Sequence, residues 1–263
     1  MVKIMDHKKT GEYWDGNADT WTKLVRMGYD KSRIHLSLPA FLKMLPKVRG
    51  LHGLDIGCGE GSNTREIQKL GAKMTAIDIS EKFIQHANDL EKKEPAGVKF
   101  QVASAVELPF KDESFDFSMG TMSFMDIPEY EKVIKEAYRV TKPGGFLQFS
   151  VTHPCFNLGN EWVLDKNGKR RGKVISGYFD KTEGLIEEWT FGVNPNRDKE
   201  IPFKVPRFDY TLSEWINTCI ETGWILEKIC EPNPTDELLE KDPSFWTERI
   251  IALFIIYRMR KPK

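Results

Sequence analysis

Five short apolar runs alternate with amphipathic helical stretches through the first part of the chain. This alternation limits the fold more than any other feature. The runs are Leu51 to Ile56, Lys73 to Ile77, Val98 to Val102, Phe115 to Met119 and Phe146 to Val151. Their length and apolar character suit strands buried on both faces. Between the second and third, Phe83, Ile84, Ala87 and Leu90 make a helical stripe behind a candidate N-cap, Ser80. Val133, Ile134, Ala137 and Tyr138 repeat the stripe, and Lys142-Pro143-Gly144-Gly145 reads as the turn that breaks this helix. Upstream, Ser32 to Leu45 has one apolar helical face, with Pro39 marking a boundary or kink. Short buried strands alternating with helices predict a doubly wound, mostly parallel sheet covered on both faces, an α/β fold.

The alternation stops near Thr152. From Phe156 to about Asp209 the chain is aromatic-rich and extended, with a hairpin signal at Asn167-Gly168. It resumes with a helix over Leu212 to Glu221 and strands over Trp224 to Ile229 and Arg249 to Tyr257. The expected organisation is an N-terminal helical or cap segment (1–50), a seven-stranded α/β domain (51–155 and 210–263), and an insertion (156–209) after the fifth strand. That insertion is long against ordinary loops and reads as a lid.

Lysine plus arginine and aspartate plus glutamate both number 39, so the formal charge is zero. A chain built to grip nucleic acid or an anionic membrane would show a basic excess. Neither partner is expected. The N-terminus, MVKIMDHKKTGEYW, lacks the apolar run of a signal peptide, and Ile250 to Tyr257 is too short to cross a bilayer. Cys58, Cys155, Cys219 and Cys230 form no CxxC pair and no metal-like cluster. A cytoplasmic protein with free thiols and no metal is the expectation.

The chemistry is carried by the turn after the first strand, Leu54-Asp55-Ile56-Gly57-Cys58-Gly59-Glu60-Gly61. Alternate glycines let the backbone turn sharply and let a ligand approach the main chain. A helical stretch follows (Asn63 to Leu70), and Asp78, 23 residues beyond Asp55, ends the second strand where an acid can bind a ribose. A dinucleotide site wants GxGxxG, whose third glycine lies under a pyrophosphate. Here that position is Ser62, and Asp55 stands two residues before the first glycine, where it could receive an ammonium. A ligand with a ribose and a positive charge but no phosphate fits both departures, and S-adenosylmethionine is such a ligand.

With LDIGCGEG, AIDIS, FQVASAVELPF, SFDFSMGTMSFMDIP and EAYRVTKPGGFLQFS in order over residues 51 to 151, the chain resembles the class I S-adenosylmethionine-dependent methyltransferases. Within them it is similar to the small-molecule, type 11 branch. The resemblance implies a Rossmann-like fold and roles for particular residues. Asp55, Gly57, Cys58 and Gly59 would hold the methionine end of the cofactor, and Asp78 the ribose, with Ile79 against the adenine. Ser104, Ala105 and Val106 would meet the adenine edge, and the carbonyl of Gly120 would take the amino group. Ser104 stands where the family usually carries an acid.

Methyl transfer from a sulfonium is an in-line displacement that rests on alignment and exclusion of water, and needs a base only if the acceptor must lose a proton. Asp126, just before Pro128, reads as a helix cap or as a base. His153, after the fifth strand, is a candidate for the pocket and for a base. Cys58 reads as packing. Acceptor selection is expected from the pieces outside the shared half. These are Tyr13, Trp14, Trp21 and Tyr29 at the N-terminus, and Phe156, Trp162, Tyr178, Phe179, Trp189, Phe191 and Phe203 in the insertion. Such aromatics either cage a cation or pack the insertion on the sheet. The expected activity is methylation of a small molecule by a monomer or homodimer. The alternatives are an RNA methyltransferase gripping its substrate through Lys166, Lys169, Arg170, Arg171 and Lys173, or a non-catalytic cofactor-binding protein.

Overall fold

The structure, a computed structural model, describes residues 5–159 and 161–263. Its first elements are α1 (His7–Arg26), a π-helical turn (Arg33–Ser37) running into α2 (Leu38–Met44), β1 (His52–Ile56), α3 (Ser62–Lys69) and β2 (Lys73–Asp78). Then come α4 (Glu81–Lys93), β3 (Lys99–Val102), β4 (Phe115–Thr121), a 3-10 turn (Phe124–Asp126), α5 (Tyr130–Val140) and β5 (Thr141–Thr152). Two antiparallel pairs follow, β6 (Trp162–Leu164) with β7 (Arg170–Lys173), and β8 (Glu183–Trp189) with β9 (Phe203–Phe208). The chain closes with α6 (Leu212–Thr222), β10 (Ile225–Cys230), α7 (Asp236–Lys241), α8 (Trp246–Ile250) and β11 (Phe254–Arg260).

Seven strands form one sheet in the order β10-β11-β5-β4-β1-β2-β3. Strands β1 to β5 run parallel, and β11 is antiparallel to both its neighbours. The chain winds outward from β1 through β2 to β3, then returns to lay β4 on the other side of β1. That reversal leaves a crevice at the carboxyl ends of β1 and β4. Alternate strand residues feed two cores. Leu54, Ile56, Leu147 and Phe149 meet Val133, Ile134, Trp215 and Trp224 on one face. On the other, Met74, Ala76, Phe117 and Met119 meet Phe41, Ile67 and Ile84.

Local chemistry sets several boundaries as expected. The Ser80 hydroxyl accepts from the Phe83 amide and starts α4, and Asn167-Gly168 turns β6 into β7. Pro39 sits in the first turn of α2, where its missing N–H costs nothing. Two expectations are corrected. Lys142 to Gly145 is no turn but an irregularity inside β5, whose register jumps between Phe115↔Thr141 and Phe117↔Phe146. Gly144 takes φ +76° there, and its amide donates to Lys261 O, so the strand continues through the bulge. The last strand starts at Phe254 rather than Arg249, because Trp246–Ile250 coils into α8.

A third core joins parts distant in sequence. Leu24 and Val25 of α1 pack with Phe191, Phe203 and Val205, flanked by Trp14, Trp21 and Tyr29. The Asn17 carboxamide pairs with the main chain of Lys204, donating to its carbonyl and accepting from its amide, both at 2.9 Å. The N-terminal helix and the β8–β9 pair therefore stand together as one cap. No helix among the described residues is long and apolar enough to cross a membrane, and all four cysteines are free thiols.

Candidate active site

The carboxyl edge of the sheet opens onto a cavity of about 860 Å³. The sheet contributes Gly57 to Glu60 after β1, Asp78 and Ile79 after β2, Ala103 to Val106 after β3, and Thr121 to Ser123 after β4. The cap contributes the rest of the wall. His7, Thr10, Trp14 and Trp21 come from α1, Asp30, Ser32 and Arg33 from the turn beyond it, Glu187 to Trp189 from β8, and Val205 to Phe208 from β9.

The turn after β1 is held from beneath. The Gly57 and Cys58 amides both donate to Ile77 O at 2.9 Å. Gly57 has φ +76°, and a Cβ there would lie 2.5 Å from Ser123 Cβ, so the turns after β1 and β4 touch. The Ser123 hydroxyl fastens them, donating to Ile56 O at 2.7 Å. At Gly59 a Cβ would meet nothing within 4 Å, which leaves bare main chain facing open space. The Gly59 amide donates to Asp78 Oδ2 at 2.8 Å, and the Ser80 amide to Oδ1 at 2.9 Å. Each carboxylate oxygen keeps a second lone pair. Burial raises the Asp78 pKa, and these amide bonds oppose the rise.

The lining is acidic. Asp30, Glu60, Asp78, Asp126, Glu187, Glu188 and Asp209 line the cavity, against Arg33 and Arg207 and no lysine among the described residues. Both arginines are engaged. Arg33 donates to Asn63 Oδ1 at 3.0 Å and lies 3.3 Å from Asp30. Arg207 donates to Glu187 at 2.7 Å and Asp209 at 2.9 Å. Bare main chain, a carboxylate at the second strand end and an acidic wall fit a ligand with a ribose and positive charge, and fit a pyrophosphate poorly.

Residues 54–149 match the family model of the methyltransferase domain. A demethylmenaquinone methyltransferase of Tropheryma whipplei is 31% identical over 179 residues, 63% of this chain and 74% of that protein. The chain belongs to the S-adenosylmethionine-dependent methyltransferases. A ubiquinone biosynthesis O-methyltransferase of Coxiella burnetii is 28% identical over 171 residues, 61% of this chain and 71% of that one. The crystal structure of an S-adenosylmethionine-dependent methyltransferase from Mesorhizobium loti shares the fold, with a TM-score of 0.69 at 24% identity, over 84% of this chain and 96% of that one. The cofactor of this methyltransferase is S-adenosylmethionine.

Of the residues singled out in the sequence, Gly57, Cys58, Gly59, Asp78, Ile79, Ser104, Ala105, Val106, Asp126 and Trp14 line the cavity of the methyltransferase. Six others do not. Asp55 is fully buried beneath the turn, where its Oδ2 accepts from the Thr64 hydroxyl at 2.6 Å and its Oδ1 has no partner among the described residues. Desolvation, with the nearby Asp78 charge adding to it, raises its pKa to about 7. Gly120 lies one residue short of the wall, covered by Phe124, and the strand end presents Thr121 to Ser123 instead. His153 is buried away from the cavity with both ring nitrogens used. Its Nδ1 accepts from the Cys155 amide at 3.1 Å, which makes Nε2 the donor to Glu231 at 2.7 Å. Phe156 packs on that ring at 4.6 Å, Tyr13 sits under Lys9, and Trp162 lies under Arg170 on the β6–β7 hairpin.

Asp126 does not cap α5, whose N-cap is Glu129. It lines the cavity 9% exposed, with no hydrogen bond to its carboxylate among the described residues, and burial holds its pKa well above the ordinary carboxylate range. The Cys58 thiol is also pushed up, by burial and then by Asp78, Asp55 and Glu60, so it stays neutral and packs. Asn63, Arg33 and Thr121 form a chain the sequence did not signal, with Asn63 Nδ2 donating to Thr121 Oγ1 at 2.8 Å.

Proposed function

We propose that this methyltransferase methylates a small molecule by in-line displacement, in a cavity shared by cofactor and acceptor. The carrying observation is continuity. One cavity of about 860 Å³ reaches from the glycine turn to the aromatic cap, and it lies toward the upper end of the roughly 300–1,000 Å³ usual for ligand sites. S-adenosylmethionine, when bound, supplies a methyl group activated on a sulfonium.

The chain's own residues bind and orient. The free lone pairs of Asp78 accept from the ribose hydroxyls, Ile79 covers the adenine, and Ser104 to Val106 meet its edge. The main chain at Gly57, Gly59 and Thr121 to Ser123 holds the methionine portion. Arg33, steadied by Asp30 and Asn63, offers its remaining donors to the carboxylate. Trp14, Trp21, Trp189 and Phe191 exclude water over the acceptor half, which favours alignment over hydrolysis. In this reading α1 and residues 156–209 act together as the lid.

The basic hairpin lends no support to an RNA acceptor. Lys169 stacks on Trp246, Arg170 on Trp162, and Arg171 pairs with Asp165, and none of them lines the cavity. The test is incubation with methyl-labelled cofactor and either the small-molecule or the RNA fraction of a cell extract. Label is expected in the first fraction; label confined to RNA would overturn the reading.

A further inference from the structure

Among the carboxylates of the cavity, Asp126 stands apart. Asp78 is bonded to two backbone amides, Asp30 lies beside Arg33, and Glu187 and Asp209 hold Arg207. Glu188 lies 3.5 Å from Lys204, and Glu60 lies 3.6 Å from Arg26. Asp126 has no partner among the described residues, although it is more than nine-tenths buried and faces the cavity from the turn after β4. The described elements around that turn bring no free cation to it. On β9, Arg207 is committed to Glu187 and Asp209, and Lys204 to Glu188. At the start of α1, His7 is held by Glu129, the N-cap residue of α5, and Glu131 and Lys132 in the first turn of α5 are exposed and off the cavity wall. A buried carboxylate without a counter-charge is costly, so this acid keeps its proton until an occupant supplies a cation.

The remaining wall says which kind of occupant. Trp14 and Trp21 meet edge to face at 5.3 Å, and Trp21 meets Trp189 at 5.7 Å, giving a continuous aromatic surface on the same cavity. Aromatic faces attract a cation and have no special affinity for an anion. The seven acids against two engaged arginines act in the same direction. A carboxylate or phosphate acceptor would meet repulsion there, and a neutral alcohol would gain one hydrogen bond without supplying a counter-charge.

We infer that the acceptor is an amine, which enters as its ammonium form and is received by the Asp126 carboxylate in the cavity that the aromatic cap also lines. This rests on the small-molecule reading above and deepens it. The amine must lose a proton before nitrogen can attack, and Asp126 is the group placed to take it. The nitrogen lone pair then forms the N–C bond as the methyl leaves sulfur, the S–C electron pair staying on sulfur as the neutral thioether. Asp126 keeps that proton as the methylated ammonium departs and so returns to its protonated resting form, the one net proton of the turnover being the one released when the ammonium binds.

The test uses the full chain saturated with S-adenosylhomocysteine and three probes of one size: 2-phenylethylamine, 2-phenylethanol and phenylacetate. Calorimetry should show the amine binding at least tenfold tighter than the alcohol, with phenylacetate weakest. Asp126→Asn should abolish that preference while leaving S-adenosylhomocysteine affinity within about twofold. A readout on the unaltered chain guards against a variant that fails to fold. Repeated in buffers of different ionisation enthalpy, amine binding should release protons from the Asp126 carboxyl, and alcohol binding should not. Amine binding no tighter than alcohol binding, or a preference that survives Asp126→Asn, overturns the amine proposal alone. Failure of S-adenosylhomocysteine to bind the unaltered chain overturns the cofactor site and this proposal with it.

Discussion

Asp55 is the position where burial makes the sharpest quantitative prediction. Its carboxyl is sealed under the glycine turn, bonded only to Thr64 among the described residues, and its pKa is raised from 3.8 to about 7. A carboxyl raised this way keeps a proton in the folded protein after the unfolded chain has lost it. The stability it contributes is complete below about pH 4 and is lost as pH rises through about 7. A rise of that size corresponds to roughly 4 kcal/mol, an upper bound because the Thr64 bond and the Asp78 charge act on the same group. Asp55→Asn keeps an acceptor for the Thr64 hydroxyl and removes the charge. Urea unfolding at pH 5 and pH 8 should therefore show the variant gaining up to about 2.5 kcal/mol on the parent across that interval, the rest of the effect lying below pH 5. S-adenosylhomocysteine affinity should change by no more than a few-fold, since Asp55 does not line the cavity. Parallel stability curves for the two proteins, or a variant that cannot bind the cofactor product, would refute the argument that Asp55 supports the turn rather than the ligand.

Other positions separate binding from support. Asp78→Ala should lose more than tenfold in S-adenosylhomocysteine affinity by calorimetry. It should also cost about 2 kcal/mol of stability, because the Gly59 and Ser80 amides lose their acceptor; full affinity in the variant would put the ribose elsewhere. Gly57→Ala forces an L residue into a left-handed backbone and against Ser123, so the melting temperature should fall by an amount equivalent to about 2–4 kcal/mol, with weaker cofactor binding. An unshifted melt would contradict the packing of the two turns. His153→Ala should destabilise by about 2 kcal/mol, as the Cys155 amide and Glu231 lose their partner. Methyl transfer by the folded fraction should be unchanged, and a selective loss of turnover would return His153 to the site.

How far the sequence revealed this arrangement depended on how local each cause is. Strands β1, β2, β4 and β5 were legible because they are largely buried on both faces and their apolar runs stand out from the helices, while β3, an exposed edge strand, was legible from its place in the alternation. The sheet side of the cavity was legible because Gly57, Gly59 and Asp78 sit in short turns at strand ends. Side-chain direction was harder. Asp55 and Gly120 belong to the right strands, but Asp55 is buried beneath the turn, Phe124 packs on the Cα of Gly120, and neither residue lines the cavity. The bulge at Lys142 to Gly145 read as a turn because proline and glycine signal both, and the start of β11 was blurred by the apolar residues of α8. Least legible was the cap. The bonds between Asn17 and Lys204 join residues 187 apart in the chain, and no periodicity in either segment reports that contact. Trp14 and Trp189 could be suspected as aromatics, but only folding brings them onto one wall.

The central claim is that one cavity, walled by the sheet edge and by the cap, holds the cofactor and its acceptor. Hydrogen exchange with and without S-adenosylhomocysteine tests it most directly, because exchange reports ordering along the whole chain at once. The account predicts slowed exchange after β1 at 57–61, after β2 at 78–80 and after β3 at 104–107, together with slowing in α1 and in β8–β9. Protection confined to segments outside the cavity, or protection of the sheet edge with none in α1 or β9, would contradict it.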